Sequence, residues 1–307
     1  MARMWTALTH SFCALGESPF WHPHEGALYW LDIPGRALLR TRGALGADVD
    51  VERWPMPQEP GCMAPARRGG LVVALRDGIY RATRWGGELQ LMAQAPHDPA
   101  QLRFNDGKCD PLGRFWAGSL NEPKTARDAT LYCLQARPGA GPSALQPVLS
   151  DALTANGLAF APHTLYWTDT PSHAIRAWDW QPVTNTLGAA RVLHQFADKA
   201  GCAAAGQPYG GRPDGATLDA RGRYWVAMYE GAQLLCLDAE GAVQQALPVP
   251  AQCPTMPCFG GDDLRTLFVT TGHKGRPAEE LQRQPDAGKV FMARTEVQGV
   301  PVDFFDD

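Results

Sequence analysis

Four polar residues, Glu17, Asn105, Asn156 and Asp214, open similar phrases in well-separated parts of the chain. The phrases read ESPFWHPHEGALYW, NDGKCDPLGRFW, NGLAFAPHTLYW and DGATLDARGRYW. In the last three an aromatic pair follows ten residues after the opening position, at Phe115-Trp116, Tyr166-Trp167 and Tyr224-Trp225. Two carboxylates with one or two amide oxygens are hard donors and suit a divalent cation. Taken singly, Asn156-Gly157 and Asp214-Gly215 read as turn dipeptides, because Asn and Asp tolerate left-handed backbone. Glu17 argues the other way, since glutamate is not a favoured turn residue and yet holds the equivalent place. If each phrase is a short polar turn leading into the inner strand of one unit of a closed ring, these side chains converge on one axis.

The elements that must position them are strands. Short apolar runs such as Leu71–Leu75, Leu165–Trp167 and Leu267–Val269 are β-branched or aromatic and are bounded by Gly, Pro, Asp or Asn. A second short strand follows several of them, as at Ile79–Arg81, Leu131–Leu134, Ile175–Trp178 and Leu234–Leu237. Helical periodicity is nearly absent; Ala278–Arg283 can form one short helix before Pro285. Six units start near Glu17, Cys62, Asn105, Asn156, Asp214 and Pro254, at a spacing typical of propeller blades with loop insertions. The expected fold is therefore all-β, one six-bladed β-propeller domain over residues 1–307, with a metal site in its central channel. The piece Ala2–Phe12 precedes the first unit and is expected to add an outer strand to the blade containing Lys289–Ala293, closing the ring. Pro138–Pro147 and Lys199–Gly211 read as surface loops, and the second is placed to cover a substrate.

Composition excludes several function classes. Hydrophobic residues at 45% and charged residues at 20% describe an ordinary globular core rather than a disordered chain. A net charge of −4, with no basic stretch, argues against nucleic acid or an anionic membrane as partner. The opening MARMWTALTH lacks the pattern of a signal peptide, and no apolar run is long enough to span a bilayer, so a cytoplasmic location is expected. In that reducing setting the eight cysteines are expected to be buried small hydrophobes; Cys253 and Cys258 lack the spacing and the second pair of a zinc knuckle. His22, His24 and His273 show no paired metal-binding spacing.

The phrases around LGESPFW, RFNDGKCD, ANGLAF and PDGATLD together resemble the senescence marker protein, regucalcin and gluconolactonase family of six-bladed propellers, over nearly the whole chain. The resemblance implies that Glu17, Asn156 and Asp214 ligate one divalent cation, which the donor types leave open among calcium, zinc, manganese, magnesium and ferrous iron. It implies that Arg103 and Asn105 contact substrate oxygens. It also puts Glu122 on a substrate-facing loop, although a solvated carboxylate is the plainer reading there. Asp106 is assigned to an Asp-Gly turn in preference to a supporting role beside the metal. For Arg103 the alternative is a surface ion pair.

The implied activity is metal-dependent hydrolysis of a sugar lactone to the open aldonic acid. Asp214 is the candidate general base, and Arg103 the candidate cation facing the developing negative charge. The alternatives are a related metal-dependent esterase, phosphotriesterase or non-sugar lactonase, and a non-catalytic calcium-binding protein. A protein-interaction platform is a further option, but it gives no reason for oxygen donors at the blade openings. The expected partner is a small-molecule lactone, and the expected state is a monomer.

Overall fold

A computed structural model describes residues 5–42, 46–135 and 144–307. Its strands form six antiparallel four-stranded sheets, each built from chain-consecutive strands except the last. The innermost strands are Gly16–His22, Pro60–Pro65, Leu102–Cys109, Ala155–Ala161, Arg212–Leu218 and Pro254–Gly260. Each of the six unit starts counted in the sequence falls within one of them. The sixth sheet combines Pro254–Gly260, Thr266–Thr271 and Phe291–Arg294 with the strand Thr6–Ala7 as its outer edge. We number these sheets blades 1 to 6 in the order of their inner strands.

Closure of the ring is written in the core. The buried apolar residues form six clusters, one at every junction between neighbouring blades, including Trp21, Trp30, Cys258 and Phe268 where blade 6 meets blade 1. Each sheet thus buries both faces against its neighbours, which is why its middle strands are continuous apolar runs instead of alternating ones. All eight cysteines are free and buried in this packing.

The repeated phrases are longer than the inner strand. Each covers an inner strand, a hairpin turn and the start of the next strand out, so the aromatic pairs lie on Phe115–Asn121, Thr164–Asp169 and Tyr224–Tyr229. The opening residues are not in turns before a strand; they lie on the inner strands themselves. Part of the repeat also proves to be hairpin architecture. In DPLGRFW and DARGRYW the aspartate folds back on its own turn. Asp219 Oδ1 accepts from the backbone N–H of Arg221 and Arg223 at 2.9 and 3.0 Å, and its Oδ2 from Arg223 Nε and Trp225 Nε1 at 2.7 and 2.9 Å. Asp110 makes the matching set, with Trp116 Nε1 at 2.8 Å. Blades 1 and 4 lack this aspartate, and there the equivalent indole N–H groups of Trp30 and Trp167 are buried without a partner among the described residues.

Two further features add to the sequence reading. Lys199–Ala204 is a short α-helix within the segment read as a loop, started by Asp198, whose side chain accepts from Gly201 N. The expected helix Ala278–Arg283 is present. Residues 138–143 of the other linker lie outside the described residues, as do residues 2–4. Finally, the segment Thr295–Asp307 crosses one end of the channel. Its backbone bonds to Arg265 and Leu264 of blade 6, Ala220 of blade 5, Pro65 and Arg67 of blade 2, and Gly113 of blade 3.

Among the described residues no helix is long and apolar enough to cross a membrane.

Candidate active site in the channel

The inner strands all run in one direction along the channel. Residues near their starts line a cavity of about 550 Å³, whereas residues further along line a smaller one of about 100 Å³ that Val300–Asp303 helps to enclose. The segment Val300–Asp303 thus narrows the second end, and the larger cavity opens at the first. Every inner strand has its register broken near its start, between Glu17 and Phe20, Pro60 and Cys62, Phe104 and Gly107, Asn156 and Ala159, Pro213 and Ala216, and Pro254 and Met256. A bulge of this kind re-aims the side chains at the break. Here it turns Glu17, Asn105, Asn156 and Asp214 to a common axis.

Why only four blades donate is visible in the other two. Gly61 occupies the bulge of blade 2, where a Cβ would lie 2.4 Å from the Phe104 carbonyl. In blade 6 the Thr255 hydroxyl is spent on Gly16 O at 2.6 Å. Gly157 matters for the opposite reason: it sits at φ 63°, and any side chain would strike the hydroxyl of Tyr224. That hydroxyl instead donates to Gly157 O at 2.6 Å, pinning the strand that carries Asn156.

Glu17, Arg103, Asn105, Asn156, Asp214 and Glu122 all line the one cavity. The first five are buried. Asn105 Nδ2 donates to Asn156 Oδ1 at 3.0 Å and to Ala155 O at 3.0 Å, so this amide orients the one beside it. Asn156 Nδ2 donates to Thr170 Oγ1 at 2.7 Å. Arg103 is buried, and its pair with the exposed Glu122 is not its only contact: its Nη1 donates to Phe104 O and Asn105 Oδ1, both at 2.9 Å, which holds the guanidinium against the site. Glu122 is half-exposed, yet it does more than meet water. It lies 3.6 Å from Arg103 and 2.7 Å from Arg76, tying the loop to the wall.

Asp106 must be reassigned. It lies on the inner strand at the bulge, not in a turn, and its Oδ2 accepts from Leu158 N at 2.9 Å while Oδ1 is buried with no partner among the described residues. The strand of blade 4 running alongside supplies that amide, a contact between residues over fifty positions apart which local sequence cannot announce. Asp106 adds a third negative charge beneath Glu17 and Asp214. Burial, then Asp214 and Asp106, hold the Glu17 carboxyl well above the usual carboxylate range. Burial, then Asp106, push Asp214 up to about 8, against the pull of Arg212 and Lys124.

Two buried carboxylates, a third one next to them with an orphaned oxygen, and an oriented amide make a site that gains from a positive charge. Among the described residues no three His, Cys, Asp or Glu side chains cluster closely enough to hold a metal by themselves. Hard oxygen donors such as these carboxylates and the Asn156 amide are of the kind that fits a divalent cation.

A pH dependence follows for metal-free protein. Carboxyls with raised folded-state pKa values hold protons that the unfolded chain has released, so stability falls as pH rises from about 4 toward 8. A divalent cation bound at these carboxyls would displace those protons. Chelated protein is expected to melt at a lower temperature at pH 8 than at pH 5.5, and added divalent cation to raise the melting temperature more at the higher pH. Scanning calorimetry with and without chelator checks this; equal metal effects at both pH values would contradict it.

The sequence profile of the SMP-30/Gluconolactonase/LRE-like region matches residues 15–273 of this chain. The chain belongs to that family. It is 38% identical over 291 residues to a 6-deoxy-6-sulfogluconolactonase of Pseudomonas putida, covering 93% of this chain and 92% of that protein. It is 31% identical to regucalcin of Gallus gallus, with 94% and 93% covered. Among solved structures, the calcium-binding protein regucalcin of Agrobacterium tumefaciens superposes with a TM-score of 0.86 at 24% identity, covering 97% and 96%. A gluconolactonase of Xanthomonas campestris superposes with a TM-score of 0.69 at 23% identity, covering 94% and 89%. At those identities the structural likeness establishes the six-bladed propeller and no more.

The cavity also holds residues that the sequence reading of this SMP-30/gluconolactonase-type chain passed over: Lys124, Thr154, Thr170, His173, Arg212 and Tyr229. Arg212 stands two places before Asp214, so its presence on the same strand was recoverable. Lys124 lies in the 121–128 loop, which carries no motif.

Proposed function

We propose that this protein hydrolyses a sugar lactone, opening an aldonolactone to the aldonic acid with the help of one divalent cation held by Glu17, Asn156 and Asp214. The observation that carries the reading is the convergence of these three with Arg103 and Asn105 at the open end of the channel, in a family member 38% identical to a sugar lactonase. When bound, a divalent cation supplies the charge that polarises a carbonyl and lowers the pKa of water, in zinc sites from about 15.7 to roughly 7.

The chain's own residues do the rest. Asp214, returned to its carboxylate form by positive charge nearby, takes a proton from the attacking water as its oxygen bonds to the lactone carbonyl carbon. The bond from that carbon to the ring oxygen then breaks, and the same proton passes to the departing ring oxygen, leaving the hydroxy acid. Arg103 faces the charge that develops on the substrate, already fixed by its bonds to Phe104 O and Asn105, so no reorganisation is needed at the moment of reaction. Asn105 orients both Arg103 and Asn156. Val300–Asp303 lines the smaller far-end cavity, so the larger cavity at the other end is the one with room for substrate and product.

The site favours an enzyme over a calcium store. A store closes its ligand shell, whereas here about 550 Å³ of open space lies against the donors, room for a sugar ring. Metal-loaded protein is expected to acidify weakly buffered solutions of aldonolactones, and chelator to stop it. Failure to open any member of a broad panel of sugar lactones with each of calcium, zinc, manganese, magnesium and ferrous iron would end this reading.

A further inference from the structure

Polar side chains at the open end of the channel form one continuous hydrogen-bonded path, and its polarity is fixed at both ends. At the inner end Arg103 only donates and the Ala155 carbonyl only accepts. Asn105, bonded to them at 2.9 and 3.0 Å, therefore presents Oδ1 to the first and Nδ2 to the second. The Asn156 atom that meets Asn105 Nδ2 at 3.0 Å is then the oxygen, which leaves Asn156 Nδ2 to donate to Thr170 Oγ1 at 2.7 Å. Thr170 and Asn105 together hold both sides of the Asn156 amide.

Thr170 starts a single helical turn, Thr170–Ser172, at the end of the strand Thr164–Asp169. His173 closes the turn with its N–H on Thr170 O at 3.2 Å, and it does so at φ 54°, in the left-handed region. Gln195 Nε2 grips the same turn from the outer strand, 3.1 Å from Ser172 O and 3.1 Å from His173 O. The His173 ring lines the cavity. Pro171 O can only accept, so His173 Nδ1, 3.1 Å away, carries a proton. In the neutral ring Nε2 is then the acceptor, and the Tyr209 hydroxyl donates to it at 2.8 Å.

Tyr209 belongs to residues 199–211, the segment expected from sequence to cover a substrate. Lys199 Nζ meets Glu230 at 3.0 Å and Gly210 O accepts from Gln233 Nε2 at 3.1 Å, so both ends of the segment are tied to blade 5. Toward blade 4 it makes one hydrogen bond among the described residues, from Tyr209 to His173.

We propose that Tyr209, His173 and Thr170 are positioning residues, through which the covering segment sets the orientation of the amides and the guanidinium at the reacting end of the cavity. Tyr209 holds His173 and so the turn, the turn carries Thr170, Thr170 holds Asn156, and Asn156 with Asn105 holds Arg103. This deepens the lactonase reading and rests on it for what the positioned groups then do. Each donor on the path finds its acceptor in the next residue, so loss of one member frees its neighbour to rotate. In Asn156 a half-turn of the amide would set nitrogen against Asn105 Nδ2, donor to donor. Misplacement of a site group by about 1 Å costs on the order of 10²-fold in rate.

The test begins with nitrogen-15 NMR of the ligand-free protein, in which signals lost in His173→Asn and Asn156→Asp identify the His173 ring nitrogens and the Asn156 side-chain amide. Tyr209→Phe removes a single hydroxyl. It is expected to shift the His173 Nε2 resonance and, beyond it, the Asn156 amide, while the exposed Gln244 amide stays unmoved. In kinetics at saturating divalent cation, Thr170→Val is expected to lower kcat on a sugar lactone by about 10-fold and Tyr209→Phe by about 5-fold, with KM changed by less than about twofold. Thr170→Ser, which keeps the oxygen, is expected to restore most of the loss. A Tyr209→Phe shift confined to His173, or a kcat unmoved in Thr170→Val or lowered equally in Thr170→Ser, overturns the positioning role while the lactonase reading stands. The NMR needs no turnover. Shifts reaching Asn156 would uphold the path even in a protein that opened no lactone, and their absence would overturn it there as well.

Discussion

Asp214→Asn is expected to open sugar lactones at least about 100-fold more slowly than the wild type, because a positioned general base typically contributes on the order of 10² to 10⁴ in rate. Asn keeps an oxygen in nearly the same place, so the fold and part of the cation affinity survive while the base is lost. The companion Glu17→Gln separates the two roles. Glu17 is buried in the cavity wall and has no base role in the mechanism, so its substitution should act through metal affinity and be partly relieved by excess cation. Excess cation should not rescue Asp214→Asn. Kinetics at graded metal concentrations, with metal content measured in each protein, decide the matter. Equal rescue of both variants would remove Asp214 from the role of base and leave it a ligand only.

The second large effect is on stability. Phe305→Ala is expected to cost about 3 to 5 kcal/mol in chemical denaturation, the range for emptying a fully enclosed aromatic site. Phe305 is wholly buried in the cluster between blades 2 and 3, set edge-on to Phe115 with ring centroids 6.5 Å apart. Its backbone bonds to Pro65 O at 2.8 Å and receives Arg67 N at 2.9 Å, and two residues on Asp307 meets Arg81 at 2.7 Å. This ring is the buried side-chain anchor of a segment otherwise held by backbone bonds and the Arg81–Asp307 pair. Val183, 89% exposed, is the control; Val183→Ala should change stability by no more than about 0.5 kcal/mol. A loss at Phe305 as small as that would mean the segment is not a structural part of the barrel end.

Much of this was readable in the chain. The six starts could be counted because each blade repeats the same local pattern of short apolar strands punctuated by Gly, Pro, Asp and Asn. The oxygen donors stood out because four of the repeats open on a polar residue where apolar residues would otherwise serve. Half of the repeated phrase nonetheless had a different meaning. Asp110 and Asp219 recur to satisfy their own hairpins and the indoles of Trp116 and Trp225, a need that is structural and not chemical.

The tertiary structure decided what depends on neighbours distant in sequence. Asp106 sat in an Asp-Gly pair and read as a turn, but it lies at the bulge of an inner strand paired with Phe115–Asn121, buried near Glu17 and Asp214 and bonded to Leu158 N of blade 4. Lys124 belonged to no pattern, because a charge at a loop tip acquires meaning only from what faces it across the cavity. Periodicity reports the local face of a strand, and so the sequence by itself determined the blades and the kinds of atom offered to the axis. The bulges, the segment across one end of the channel and the balance of charge around the cavity arise from packing between segments far apart in the chain, and only the folded ring could set them.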